Sequence, residues 1–93
     1  VTLSVYWRDQ ARADPMAIVE YVSARDPSAA RRLRNDIMAA AATTAEHPYL
    51  YRPGRVAGTR ELVAHPNDIV VYQVGDRVEV LNVLHARQQY PDR

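Results

Sequence analysis

The sequence has no cysteine and no lysine, and nowhere does it hold a long apolar run. Without cysteine there is neither a disulfide framework nor thiolate chemistry. No stretch approaches the roughly 18 apolar residues that a membrane helix needs, and the beginning lacks the basic-then-apolar layout of a signal peptide. A cytoplasmic protein with no membrane contact is expected. All twelve basic residues are arginine, a planar donor fork for carboxylates, phosphates and aromatic faces that does not shuttle protons. Acids balance them in both halves: six Arg against six Asp and Glu over residues 1–49, and six against five over 50–93. A protein that holds nucleic acid mainly by neutralising phosphates carries a basic excess, so no direct specific DNA binding is expected of this chain.

Metal and nucleotide chemistry are missing too. His47, His65 and His85 fall at a helix end and in two strands, and none has a partner at ligand spacing. The segment from Arg52 to Gly58 lacks the spacing and the lysine of a phosphate cradle, and no serine stands in a nucleophile-elbow context. The expectation is a protein with no metal and no cofactor.

What is present describes one small globule. Ninety-three residues, 47% hydrophobic and 25% charged, suit a single domain over 1–93 with one core. Leu3-Ser4-Val5-Tyr6-Trp7 alternates loosely and predicts a strand over about residues 2–8. A helix follows, capped by Asp9 or, if Pro15 is to sit in its first turn, by Asp14; Ala11, Ile18, Tyr21 and Val22 form its inner face. Asp26-Pro27 is a cap-plus-proline start for a second helix to about Glu46, with Ala30, Leu33, Ile37, Ala40, Ala41 and Thr44 as its inner stripe. Pro48 stops it, and residues 48–58 read as an irregular loop. Three strands then span Thr59–His65, Ile69–Val74 and Arg77–His85, the last two joined by a two-residue Gly75-Asp76 turn. The order β-α-α-β-β-β is that of an α+β domain, a helical hairpin packed on a small, mainly antiparallel sheet. On the last strand, strict alternation sets Val78, Val80, Asn82 and Leu84 against Glu79, Leu81, Val83 and His85. Neither set is fully polar, so a partner chain or the C-terminal tail is expected over the face away from the helices.

One polar cluster can carry chemistry: Arg60, His65, His85, Arg87 and Tyr90. Histidine or tyrosine as acid or base, with arginine on a phosphate, suits attack by an RNA 2′-hydroxyl. The plainer expectation, which the residues alone favour, is that both histidines cap strand ends and Arg60 pairs with Glu61 or Glu79. Tyr49 and Tyr51 flank Leu50 in the loop, as a contact platform or as staples to the core.

The stretches His47-Pro48-Tyr49-Leu50-Tyr51, Gly54 to Asn67, Val70 to Val74 and Val78 to Pro91, preceded by Trp7-Arg8, Ala11 to Asp14 and Ala29 to Leu33, resemble a toxin of the ParE/RelE superfamily along essentially the whole chain. That resemblance implies a helical hairpin on a small sheet. It also implies a neighbouring-gene antitoxin whose disordered part wraps the toxin and folds on binding, expected here over the helical hairpin and the exposed sheet face, and growth arrest when the toxin is free. The RelE branch cleaves mRNA in the ribosome, and the ParE branch poisons DNA gyrase. Ile69 stands where RelE-like nucleases place a phosphate-binding arginine, their lysines are missing, and Val83-Leu84-His85 with a polar tail resembles ParE. The expectation is therefore a gyrase-binding toxin without catalysis of its own, reaching its target through Arg87, Gln88, Gln89 and Tyr90. Asp68 departs from relatives that carry an aromatic residue after His-Pro-Asn, and a weakened toxin is expected if that position meets the target.

Overall fold

The computed structural model describes residues 2–65 and 68–85. The chain runs β1 (Val5–Trp7), α1 (Asp9–Ser23), α2 (Pro27–Glu46), β2 (Arg52–Pro53), β3 (Arg60–His65), β4 (Asp68–Val74) and β5 (Val78–His85). The sheet order is β1-β5-β4-β3-β2, with β1 parallel to β5 and every other pair antiparallel. Both helices lie on one face, as the α+β reading anticipates.

The second helix follows its sequence signals closely. The Asp26 carboxylate accepts from the Ala29 amide at 3.1 Å, and Pro27 occupies the first turn, where its missing N–H costs nothing. Its buried face is the expected stripe of Ala30, Leu33, Ile37, Ala40, Ala41 and Thr44, extended by Ala45. The small residues let α2 lie close against the sheet, and Ile37 enters a core shared with Ala11, Val70, Val80 and Val83.

Four local expectations are corrected. The first helix begins at Asp9 behind Arg8, which makes no side-chain cap, so Pro15 falls inside the helix in its second turn. Proline there withholds the amide that would bond the Ala11 carbonyl. Tyr21 belongs to the outer face, 64% exposed and stacked under the Arg25 guanidinium, because cation–π contact at (i, i+4) needs no burial. The loop after α2 contains a short strand, β2, paired with Arg60 and Glu61. The β4–β5 turn has three residues, since Val74 pairs directly with Val78.

A bulge matters more than any of these. Between the Val71–Asn82 and Tyr72–Val80 pairs, β5 carries one extra residue, Leu81. The extra residue reverses the alternation, so Val83 joins Val80 in the core beneath the helices instead of facing away from them.

Candidate functional site

Three features at the surface have the chemistry of a functional site. The first gathers the histidines. The β3–β4 hairpin returns the chain so that His65 pairs with Asp68, and Asp68 pairs in turn with His85 at the end of β5. The Asp68 carboxylate is enclosed. One oxygen lies 3.4 Å from His85 Nδ1 and the other 3.5 Å from His65 Nδ1, while both imidazoles stay partly open to solvent. His65 Nδ1 is itself buried and forms no hydrogen bond among the described residues. Among the described residues no cluster has the make-up of a metal site.

Arg60 is not part of that group. It opens β3 and His65 closes it, and five steps of strand set them about 16 Å apart. Its guanidinium instead donates to the carbonyls of Tyr49 (3.3 Å) and Tyr51 (2.9 Å) and lies 5.1 Å from the Tyr49 ring centre. Nor does it pair with Glu61 or Glu79. Buried Glu61 accepts from Arg52 and from the Arg55 amide, and Glu79 meets Arg8 and Arg77. The Tyr72 hydroxyl donates to the Pro48 carbonyl at 2.9 Å, so the loop from Pro48 to Tyr51 is held from two sides. Burial pushes the Tyr72 phenol above its ordinary value, opposed by the nearby Arg60 cation and assisted by Tyr51. Tyr49 and Leu50 remain exposed at the tip of this anchored loop.

The third feature is a groove of about 550 Å³ between the helices, floored by Trp7, Val19 and Ile37 and flanked by Met16 and Met38. Met16 is 69% exposed and Met38 50%, a costly display of flexible apolar side chains unless something covers them. Arg12 and Arg34 stand on its rim and form no ion pair among the described residues; Glu20 is the rim's acid.

The structure thus brings His65 and His85 together and leaves Arg60 out, while Arg87, Gln88, Gln89 and Tyr90 lie outside the described residues. Sequence reasoning missed Asp68 as the carboxylate between the histidines; the signal was its place directly after the turn-forming pair Pro66-Asn67 of the sequence. It missed the groove as well, although Met16 and Met38 flank the inner stripes of their helices.

The chain as a whole is similar to known proteins. Residues 5–90 match the family model described as the ParE toxin of the type II toxin–antitoxin system parDE. The chain is 44% identical over 72 residues to Y4kP of Sinorhizobium fredii, assigned as a toxin, covering 76% of this chain and 75% of the relative. It is 36% identical over 85 residues to Toxin RelE2 of Caulobacter vibrioides, covering 88% and 93% respectively. Two solved structures share the fold. The chromosomal ParDE system of P. aeruginosa superposes with a TM-score of 0.81 at 22% identity over 92% of this chain and 98% of that one. The RelBE2 toxin–antitoxin complex of Mycobacterium tuberculosis gives 0.64 at 20% identity over 91% and 99%.

Proposed function

The chain belongs to the ParE toxin family of type II toxin–antitoxin systems, and from that premise we propose a cytoplasmic, noncatalytic toxin that arrests growth by binding DNA gyrase until a cognate antitoxin from the same operon masks it. The observation that carries the noncatalytic reading is the position of Arg60. A phosphate-cleaving site needs a cation converging on its acid and base. Arg60 holds the Tyr49 and Tyr51 carbonyls at the far end of β3 from the histidines, and Ile69 has no charge to offer. No described helix is long and apolar enough to cross a membrane, which agrees with a cytoplasmic site of action.

The antitoxin is read as docking in the groove between the helices. An apolar floor with two arginines on its rim that form no ion pair among the described residues fits an amphipathic segment that lays its apolar side between Met16 and Met38 and offers carboxylates to Arg12 and Arg34. The solved relative from Mycobacterium tuberculosis is a toxin–antitoxin complex, which supports a partner of that class. Gyrase is tested by adding the purified chain to a supercoiling reaction. Inhibition relieved by the antitoxin is expected, and untouched supercoiling at high excess of toxin removes gyrase as the target.

A second reading, a ribosome-dependent endoribonuclease using His65 and His85 with Arg87 and Tyr90 but without Arg60, is favoured by one observation: two partly exposed imidazoles beside a single carboxylate. Primer extension on mRNA from induced cells separates the two, since new in-frame cuts appear only if this reading is right. A chain that binds antitoxin tightly yet is harmless when overproduced is a degenerate toxin instead.

A further inference from the structure

The sequence holds two methionines and no cysteine, so Met16 and Met38 carry its only sulfur atoms. They lie on different helices, Met16 on α1 and Met38 on α2, yet they line the same groove and both are exposed. Neither belongs to the core cluster beneath the helices. In such a chain an exposed thioether is the group that a peroxide oxidises first, because its sulfur is softer and more nucleophilic than the nitrogens, oxygens and rings around it.

Each methionine also has the same neighbour. Arg12 stands four residues before Met16 and Arg34 four residues before Met38, and both arginines line the groove. Residues at (i, i+4) share a helix face, and a long side chain leans over the turn that precedes it. Each sulfur is thus set on the side where a guanidinium stands, one that forms no ion pair among the described residues. A thioether is a weak acceptor for an arginine, whereas a sulfoxide oxygen is a strong one.

Resting on the antitoxin docking proposed above, we propose that Met16 and Met38 form a sulfoxidation site, oxidised by hydroperoxides in the free toxin, and that its oxidation closes the groove to the antitoxin. In the step a sulfur lone pair attacks one peroxide oxygen and the O–O bond breaks. The thioether is oxidised by two electrons to a sulfoxide, and the peroxide is reduced. Its second oxygen leaves as hydroxide and takes the remaining proton, so hydrogen peroxide ends as water. Two consequences meet in the groove. Its flanks turn from apolar to polar, and Arg12 and Arg34 turn onto the sulfoxide oxygens instead of meeting a partner's carboxylates. An antitoxin seated on the two methionines shields them, so oxidation acts on toxin that is already free and keeps it free. Sulfoxide reductases reverse the change.

The test treats the full chain with hydrogen peroxide and reads its mass, its melting temperature and its calorimetric affinity for the product of the neighbouring gene. One added oxygen on each of Met16 and Met38 is expected, with the melting temperature kept. Affinity should fall at least about tenfold and return after treatment with the two sulfoxide reductases. Met16→Leu combined with Met38→Leu keeps the apolar flanks and removes the sulfur; this variant should bind as tightly as the parent and ignore peroxide. The preformed complex should take up oxygen at least about tenfold more slowly than the free chain. Oxidised toxin that binds as tightly as before overturns the site, and spares the groove if Met38→Glu still weakens binding. Loss of affinity in the peroxide-treated double leucine variant overturns it too, since another group is then responsible. A melting temperature that falls together with the affinity assigns the loss to unfolding and overturns the site. Methionines oxidised equally fast in the complex and in the free chain move the antitoxin off the groove, and both readings fail together.

Discussion

Tyr72 is enclosed on all sides, with its hydroxyl on the Pro48 carbonyl, and its proton therefore has a measurable effect on folding. Burial raises its folded ionisation above the ordinary tyrosine value, so the folded state keeps a proton that the unfolded chain releases. That contribution is complete below the unfolded value and is lost as pH rises through the folded one. Unfolding by urea is expected to become easier from about pH 10 upward. Tyr72→Phe should lose about 1 kcal/mol at neutral pH, from the missing hydrogen bond, and should show a flatter alkaline decline. Parallel declines in the two proteins would refute the link. The burial of Tyr72 was foreseeable from its place in an apolar strand. The partners of Arg60 were not, because main-chain carbonyls of an irregular loop carry no residue code, and the eye pairs an arginine with the nearest glutamate.

Among the elements, β5 departs furthest from its sequence pattern. Strict alternation places Val83 on the face away from the helices, and one extra residue at Leu81 moves it into the core. The same bulge leaves the Val83 amide pointing past the end of β1, where Asp14 of α1 receives it; Asp14 is held in turn by Gln10 at 2.6 Å. Asp14→Ala should therefore cost about 1–3 kcal/mol, the penalty of stranding a part-buried donor. Its signature should be faster amide exchange at Val83 with the helix content unchanged. An unaltered denaturation midpoint would show that water replaces the carboxylate without loss. This tie also bears on Pro15, since Asp14 anchors the turn where proline interrupts the hydrogen bonds of α1. By contrast α2 was legible almost residue by residue, because its cap, proline and small-residue stripe act within a few positions of one another.

At the scale of the whole molecule, one helical face is left incomplete. The groove between α1 and α2 exposes Met16 and Met38 above a floor that reaches Ile37 in the core. Met38→Glu places a charge in that apolar groove at a half-exposed position where the fold tolerates it. Antitoxin affinity should fall about tenfold or more, and growth arrest by the free toxin should persist. Unchanged affinity by calorimetry would move the docking site elsewhere. The split outcome, rescue lost and toxicity kept, is what distinguishes a neutralisation surface from a target surface.

The sequence by itself determined the two helices, the three long strands, the α+β class and the toxin family. The elements and their class rest on signals that act locally (hydrophobic period, capping side chains, proline and turn residues), and the family rests on a resemblance that runs along the chain. Tertiary structure alone decided that Asp68 lies between His65 and His85 while Arg60 stands at the other end of their strand. It alone decided that Asp14 takes the Val83 amide and that, among the described residues, β2 pairs with β3 only at Arg60 and Glu61. The physical reason is register. A single extra residue in a strand changes no local pattern, yet it reassigns every neighbour beyond it.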